Sequence, residues 1–410
     1  MHTKTNIFFM IRSFLFSIFI ILCAEDSYAQ GLGDYGLGGG LKIASRDYNY
    51  GFQLGGAIQP KLSFIDNSEQ LDTRFSPELT FLRIQGFALR EKLEFFIQSD
   101  YSRNDLLMDA WISYKPVERI KLTIGQMPNI GNNREMLFYE DQLSFTSRSF
   151  FSSRFCETGR EIGVKLEAEF NIGEVKIQPK LALTTGDGRN SFGDDSRDVD
   201  IGGYKYAFRI DLSPFGDFSE GNTNFSADLL FEKKLKMLIG VAGSYNYGAS
   251  GPVGESHGDF TMYRANGSRD LPDYRKWYLD ALLKYRGVSI LFEIGQATAN
   301  SLKGLKHSPV PSDILLPEEI SRYLVLGTGG NLLAEIMIRK NFSLAANYSI
   351  VYPEFDTYSG GLFVATSVTN LGFNYYHRGH NAKFHLDYGI TSDINGLLEN
   401  QIQVIFQVRI

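Results

Sequence analysis

Polar and apolar positions alternate with period two in segment after segment, the pattern of a strand with two unlike faces. Ile162, Val164, Leu166, Ala168 and Phe170 share one face, with Gly163, Lys165, Glu167 and Glu169 between them. Tyr204, Tyr206, Phe208, Ile210 and Leu212 alternate with Lys205, Ala207, Arg209 and Asp211. The same rhythm runs through Val288–Gly295, Ala382–Ile390 and Ile402–Ile410. No long face of period 3.6 interrupts it; only the stretch 315–320 predicts a short helical turn.

Short polar connections separate several of these segments, among them Arg286-Gly287 and Arg339-Lys340-Asn341, and predict hairpins. Longer polar stretches at 127–160, 186–203, 248–276 and 300–323 predict loops at the opposite end. Short turns at one end and long loops at the other is the build of an outer-membrane barrel. Such a barrel satisfies every backbone group inside the hydrocarbon layer. A crossing strand needs about 9–11 residues. The chain therefore predicts an all-β fold: a transmembrane antiparallel β-barrel of about 16 strands, with short periplasmic turns and long extracellular loops. A barrel of that size is expected to enclose an aqueous channel. The final amphipathic segment suits the terminal strand of such a barrel, although Ile410 stands where an aromatic residue is more usual.

The N-terminus adds an address. Lys4 and Arg12 precede the apolar run 14–23, and Ser27-Tyr28-Ala29 has the small residues of a signal-peptidase site. Residues 1–29 are expected to be a cleaved signal peptide, and 30–410 the barrel domain, with 30–42 as a flexible N-terminal segment. Leu22 before Cys23 is bulky, which counts against a lipid anchor there. Beyond residue 29 only Cys156 carries a thiol, so no internal disulfide supports the fold. The 41 glycines and 14% aromatics suit many turns and interfacial belts.

Two stretches carry a family resemblance. The first is Asp109-Ala110-Trp111-Ile112-Ser113-Tyr114, then Ile120–Pro128, then Leu143-Ser144-Phe145-Thr146-Ser147-Arg148-Ser149. The second is Leu371–Phe384, with Tyr376-His377-Arg378-Gly379-His380 at its turn. They resemble the phosphate-selective porin O/P family of Gram-negative outer membranes. The resemblance implies a 16-stranded barrel, often a homotrimer, admitting small anions. Met127-Pro128-Asn129 departs from that family's pattern, and the net charge of -6 does not advertise an anion channel.

Selectivity in a pore comes from the charges that line it. Phase places Lys121, Lys165, Lys176, Lys180, Lys205, Arg209, Lys284, Arg286, Arg339, Lys383 and Arg409 inward, against Glu94, Glu167, Glu169, Asp211, Glu293, Glu335 and Asp387. The lumen is expected to lean positive. Loop 127–160 is the candidate to fold into the pore. Its Arg134, Arg148, Arg154 and Arg160, set beside Glu135, Glu140, Asp141, Glu157 and Glu161, form either a mixed-charge constriction or salt bridges that fix the loop.

Other chemistry is not supported. Asp187, Asp194, Asp195, Asp198 and Asp200 match no calcium-loop spacing. His377, His380 and His385 lack metal-ligand spacing. Gly31-Leu32-Gly33-Asp34-Tyr35-Gly36 fits a dinucleotide pattern only formally, since no strand precedes it. No catalytic motif, cofactor site or metal site is expected, and no nucleic-acid partner. The expected partners are outer-membrane lipid and small solutes. Two functions remain in competition: a passive porin, and a non-conducting barrel subunit of a larger outer-membrane assembly or secretion complex.

Overall fold

The computed structural model describes residues 32–36, 38–66, 71–191, 202–256, 258–309, 313–394 and 396–410. The expected signal peptide and Asp194, Asp195, Asp198 and Asp200 fall outside them.

Alternation becomes a closed wall of 16 antiparallel strands. They are β1 (Gly51–Asp66), β2 (Leu71–Ala88), β3 (Leu93–Asp100), β4 (Leu107–Val117), β5 (Ile120–Pro128), β6 (Arg160–Ala168, continued at Phe170–Ile172) and β7 (Val175–Thr184). Then follow β8 (Lys205–Ser213), β9 (Lys236–Asn246), β10 (Asp273–Tyr285), β11 (Val288–Asn300), β12 (Gly327–Arg339), β13 (Phe342–Pro353), β14 (Thr366–His380), β15 (Ala382–Asp393) and β16 (Gly396–Arg409). Each pairs with its sequence neighbour, and β16 returns to β1 from Asn400↔Asp66 to Arg409↔Ala57. The sheet keeps no long free edge, as the absence of water inside a bilayer requires.

The two faces sort as the sequence suggests. On β11, Ile290 and Phe292 are exposed outward while Ser289, Leu291 and Glu293 are wholly buried inside. On β8, Tyr206, Phe208 and Ile210 face out and Lys205, Ala207, Arg209 and Asp211 face in. The β10–β11 hairpin turns on Arg286-Gly287, both at positive φ, the backbone a two-residue turn needs to match strand twist.

Three features depart from the sequence reading. Residues 30–42 were expected to be flexible, yet Leu32–Gly36 pairs with Gly40–Ala44, and that strand pairs with the first residues of β1. This hairpin continues the wall where β16 stops: Gly56 and Ile410 exchange backbone hydrogen bonds at 2.8 and 2.9 Å, and the Gly38 amide donates to the Arg409 carbonyl at 3.0 Å. Second, the periplasmic connections are not all short, because residues 214–235 between β8 and β9 fold back into the barrel. Third, Arg339 is exposed at the periplasmic rim rather than inside. The β12–β13 register shifts between Met337 and Arg339, and the alternation that assigned it ends there.

Candidate functional site in the barrel lumen

Residues 129–159 leave β5, cross the interior and return at β6. Arg134, buried in this loop, donates through Nε to Asp280 Oδ1 at 2.7 Å and through Nη2 to Asp211 Oδ1. Arg209 joins the same two carboxylates and reaches the Asn132 carbonyl at 3.1 Å. Glu293 accepts from Asn133 Nδ2 at 2.9 Å and from the Glu135 amide at 2.8 Å. One end of the loop is thereby fastened to β8, β10 and β11.

The middle of the loop is fastened to the far wall. Asp141 is fully buried between Arg83 of β2 and Arg409 of β16. Gln407 Nε2 adds a bond to the Asp141 carbonyl at 3.0 Å. Glu140 receives Arg148 at 3.0 Å and both Nη atoms of Arg160, which also reaches Asp109 at 3.5 Å. Thr146 N donates to Asp387 at 2.8 Å, and Lys383 Nζ donates to the Leu143 carbonyl at 3.0 Å. The short helix α1 (Phe150–Phe155), capped by the Ser149 side chain, packs on β12 and β13.

The sequence candidates thus divide. Arg134 and Glu135 tie the loop to itself and to the wall, Glu135 accepting from the Ser149 amide at 2.9 Å. Arg148, Arg160 and Glu140 form one buried charge cluster. Arg154 stands apart, its guanidinium 5.0 Å from the Phe150 ring and 5.4 Å from that of Phe363. Lys205 is inside, bound to Glu161 at 2.6 Å, and Lys121 and Lys165 pair with Glu94 and Glu167.

Lys284 anchors the second inserted segment. Its ammonium donates to the carbonyls of Asn222, Phe225 at 2.9 Å and Ala227 at 2.6 Å. Asp228 and Glu232 close the segment on itself through Asn222, and Asp228 accepts from the Gly287 amide at 2.7 Å. Ser226 and Ser144 meet hydroxyl to hydroxyl at 2.7 Å, so the periplasmic insert touches the extracellular one. A buried apolar cluster joins them: Phe138, Leu143 and Phe145 of the loop, Phe218 of the segment, and inward Leu238, Leu282, Leu291 and Leu333 of the wall. The expected water-filled interior is therefore packed along β9–β13, because inward leucines there find apolar partners on the inserts.

Space remains on the β1–β5 and β14–β16 sides. Two outer cavities of about 170 and 140 Å³ share Thr146, Ser147, Arg148 and Ser153. On the periplasmic side of the loop an open space bordered by Glu94, Phe96, Trp111 and Tyr139 continues past the rim of the wall to Phe52, Phe95 and the N-terminal hairpin at Lys42. Beside it a cavity of about 210 Å³ reaches Arg83, Gln142 and Arg409. The layer between inner and outer spaces is the stretch Tyr139–Leu143 with its arginine clamps.

Sequence reasoning assigned no role to Arg83, Glu255 or the lumen aromatics. Glu255, in the loop 247–272, accepts from the amides of Glu157, Thr158 and Gly159 at 2.8–3.1 Å and seats the returning chain. Only its sequence distance hides it. The aromatics carried a readable signal, since Phe96 and Trp111 stand in the polar phase of their strands, beside Glu94, Gln98, Asp109 and Ser113.

A closed 16-strand barrel with an outer apolar belt and a loop folded across its interior has the fold of outer-membrane porins. No family model and no curated protein matches the chain. Among solved structures it is similar to Pseudomonas putida OprB in a high-pH structure, at 9% identity and TM-score 0.56, covering 88% of this chain and 94% of that one. It is similar to Salmonella typhi OmpF in complex with daunomycin, at 11% identity and TM-score 0.55, covering 92% and 100%. An anion-selective porin from Comamonas acidovorans matches at 9% identity and TM-score 0.54, covering 88% and 100%. At these identities the likeness is one of fold.

Proposed function

We propose that this chain is a porin of a Gram-negative outer membrane, exported by the signal at residues 1–29, that admits small solutes past a constriction formed by loop 129–159. The observation that carries this reading is the loop itself, clamped across the lumen by Arg83, Asp141 and Arg409 on one wall and by Arg134, Asp211 and Asp280 on the other. Charged groups opposed across a narrow, partly dehydrated gap act strongly on whatever passes. Arg148 and Glu140 border the outer cavity from their charge cluster, while Arg134 and Glu135 hold the loop. A homotrimer, implied by the family resemblance, is part of this reading.

Anion or phosphate preference draws support from the same resemblance and from Arg103 and Arg148 at the outer cavities. Against it stands the pairing of Arg83, Arg134, Arg160, Lys121, Lys165 and Lys205 with carboxylates. The expected channel is therefore weakly selective by charge. Reconstitution in planar bilayers is expected to give stepwise currents, with a reversal potential near zero in a KCl gradient. A folded protein that gives no steps at any voltage removes the porin reading.

One observation favours the alternative, a non-conducting barrel subunit of a larger assembly: residues 214–235 pack the lumen from the periplasmic side and are pinned by Lys284. Lys284→Met keeps the side-chain stem but leaves three carbonyls without their donor, at a cost of about 3 kcal/mol. In a porin the variant is expected to conduct more than the parent and to expose 214–235 to protease. A subunit role instead predicts silence in both proteins and a stoichiometric partner retained through gentle purification.

A further inference from the structure

Arg275 breaks the apolar run of the lipid-facing wall. It is exposed on β10 in the outward phase of Trp277 and Leu279, while Lys276 and Asp280 are buried inside. Its register partners are Tyr245 on β9 and Thr298 on β11, and Tyr245 in turn pairs with Tyr206 on β8. The next outward row toward the periplasm is Phe208, Gly243, Trp277 and Gln296, and the one after it Ile210, Val241, Leu279 and Ile294. Among the described residues of these three rows Arg275 is the only charged side chain. The rows pass from tyrosine through tryptophan to aliphatic, the order met between a headgroup layer and hydrocarbon. Because β10 starts from loop 247–272 and ends at the periplasmic turn Arg286-Gly287, this boundary is the extracellular one.

The guanidinium has no ion-pair partner among the described residues. Asp273, two positions earlier on the same face, is already taken: it accepts from the Tyr245 hydroxyl at 2.8 Å, the Ser301 hydroxyl at 2.7 Å and the Gly248 amide at 3.1 Å. An arginine at a membrane boundary lays its stem along apolar surface and turns its head to the polar layer, where an anionic group satisfies it. Its planar fork matches a phosphate at two points. Three tyrosines cluster at the same height. The Tyr247 ring lies 5.9 Å from that of Tyr206 and 4.6 Å from that of Tyr245, and Tyr206 and Tyr247 are exposed.

We propose that Arg275 and this tyrosine cluster bind the phosphorylated headgroup of an outer-leaflet glycolipid, whose acyl chains lie along Ile210 and Val241. The outer leaflet of a Gram-negative outer membrane is built of disaccharides carrying phosphate and acyl chains. The phosphate meets the lone cation. The sugar presents a face of C–H groups with partial positive charge, which suits the electron-rich tyrosine rings. The acyl chains meet the exposed aliphatic row beneath. The inference rests on the outer-membrane placement in the porin reading and not on conduction.

The chain has two tryptophans, and Trp277 stands one row below Arg275, its Nε1 bonded to Gln296. Trp111→Phe therefore leaves the indole at the site as the only one. Folded Trp111→Phe protein in uncharged detergent, titrated with lipid A, is expected to show a saturable change in Trp277 emission. Adding Arg275→Gln is expected to weaken the apparent affinity about fivefold or more, and Arg275→Lys less, with barrel circular dichroism unchanged. Lipid A stripped of its phosphates, and phosphatidylglycerol, are each expected to bind about fivefold or more weakly than lipid A. Equal affinity for lipid A with and without Arg275→Gln, or phosphatidylglycerol binding as tightly as lipid A, overturns the proposal. Lipid A phosphate retained per barrel through gel filtration makes the same comparison without Trp111→Phe. A barrel that binds lipid A but carries no current removes the porin reading alone, and one that conducts but ignores lipid A removes this inference alone.

Discussion

Arg83 on β2 grips Asp141 of the inserted loop with both ends of its fork, Nη1 to Oδ2 and Nη2 to Oδ1, each at 2.8 Å. The carboxylate is fully buried, and its other cation, Arg409, is 3.2 Å away. Removing one partner of a buried pair strands the other charge. Arg83→Ala is expected to cost about 3 kcal/mol. Arg83→Lys is expected to recover only part of this, since an ammonium cannot match the two-point geometry. Thermal unfolding by circular dichroism checks the order parent, Lys, Ala. Bilayer recordings check the accompanying rise in current noise as the loop loosens. An unchanged melting midpoint for Arg83→Ala contradicts the clamp.

The loop carboxylates give the protein a pH signature. Burial pushes Glu140 up, but Arg160 and Arg148 outweigh it and hold the carboxyl well below its ordinary value of 4.5. Burial likewise raises Asp141, and Arg83 and Arg409 bring it below 3.8. Folding therefore favours the ionised forms. The stabilisation is complete above the ordinary values and is lost as pH falls through the lower folded ones. The melting midpoint is expected to stay level from pH 7 to about 5 and to drop below about pH 4. A fall that is already complete by pH 5 counts against these ion pairs.

The outward face makes a prediction about lipid. Phe292 is exposed in mid-strand on β11, while Gln296 stands nearer the loop end beside Trp277. Phe292→Lys is expected to destabilise the vesicle-folded protein by about 2–4 kcal/mol, and Gln296→Lys by about 1 kcal/mol or less. Denaturant titrations in lipid vesicles measure both. Equal costs at the two depths contradict a hydrocarbon layer around this wall.

Part of the site was legible and part was not. The loop that enters the lumen was readable as a long arginine-rich stretch between two alternating segments. Which of its arginines face solute was not, because Arg134, Arg148 and Arg154 differ in what the fold sets beside them: carboxylates of the wall, a glutamate of the same loop, and two phenyl rings from loops. Arg83 has no local signature, since its partner lies 58 residues on. Trp111 and Phe96 were visible as aromatic residues in the polar phase, and that anomaly required no structure to notice.

Alternation alone determined the class of this protein. With side chains leaving a strand on opposite sides in turn, a run such as Ile290, Ser289, Phe292 and Glu293 has one environment per face, and a bilayer supplies both only to a closed sheet. Tertiary structure decided what fills the barrel. The inserts at 129–159 and 214–235 are held by partners far along the chain, such as Arg134 with Asp280, Lys284 with Phe225, and Ser144 with Ser226. Pairings of that kind leave no periodic trace in a sequence, because they depend on which strands the closed ring sets opposite one another.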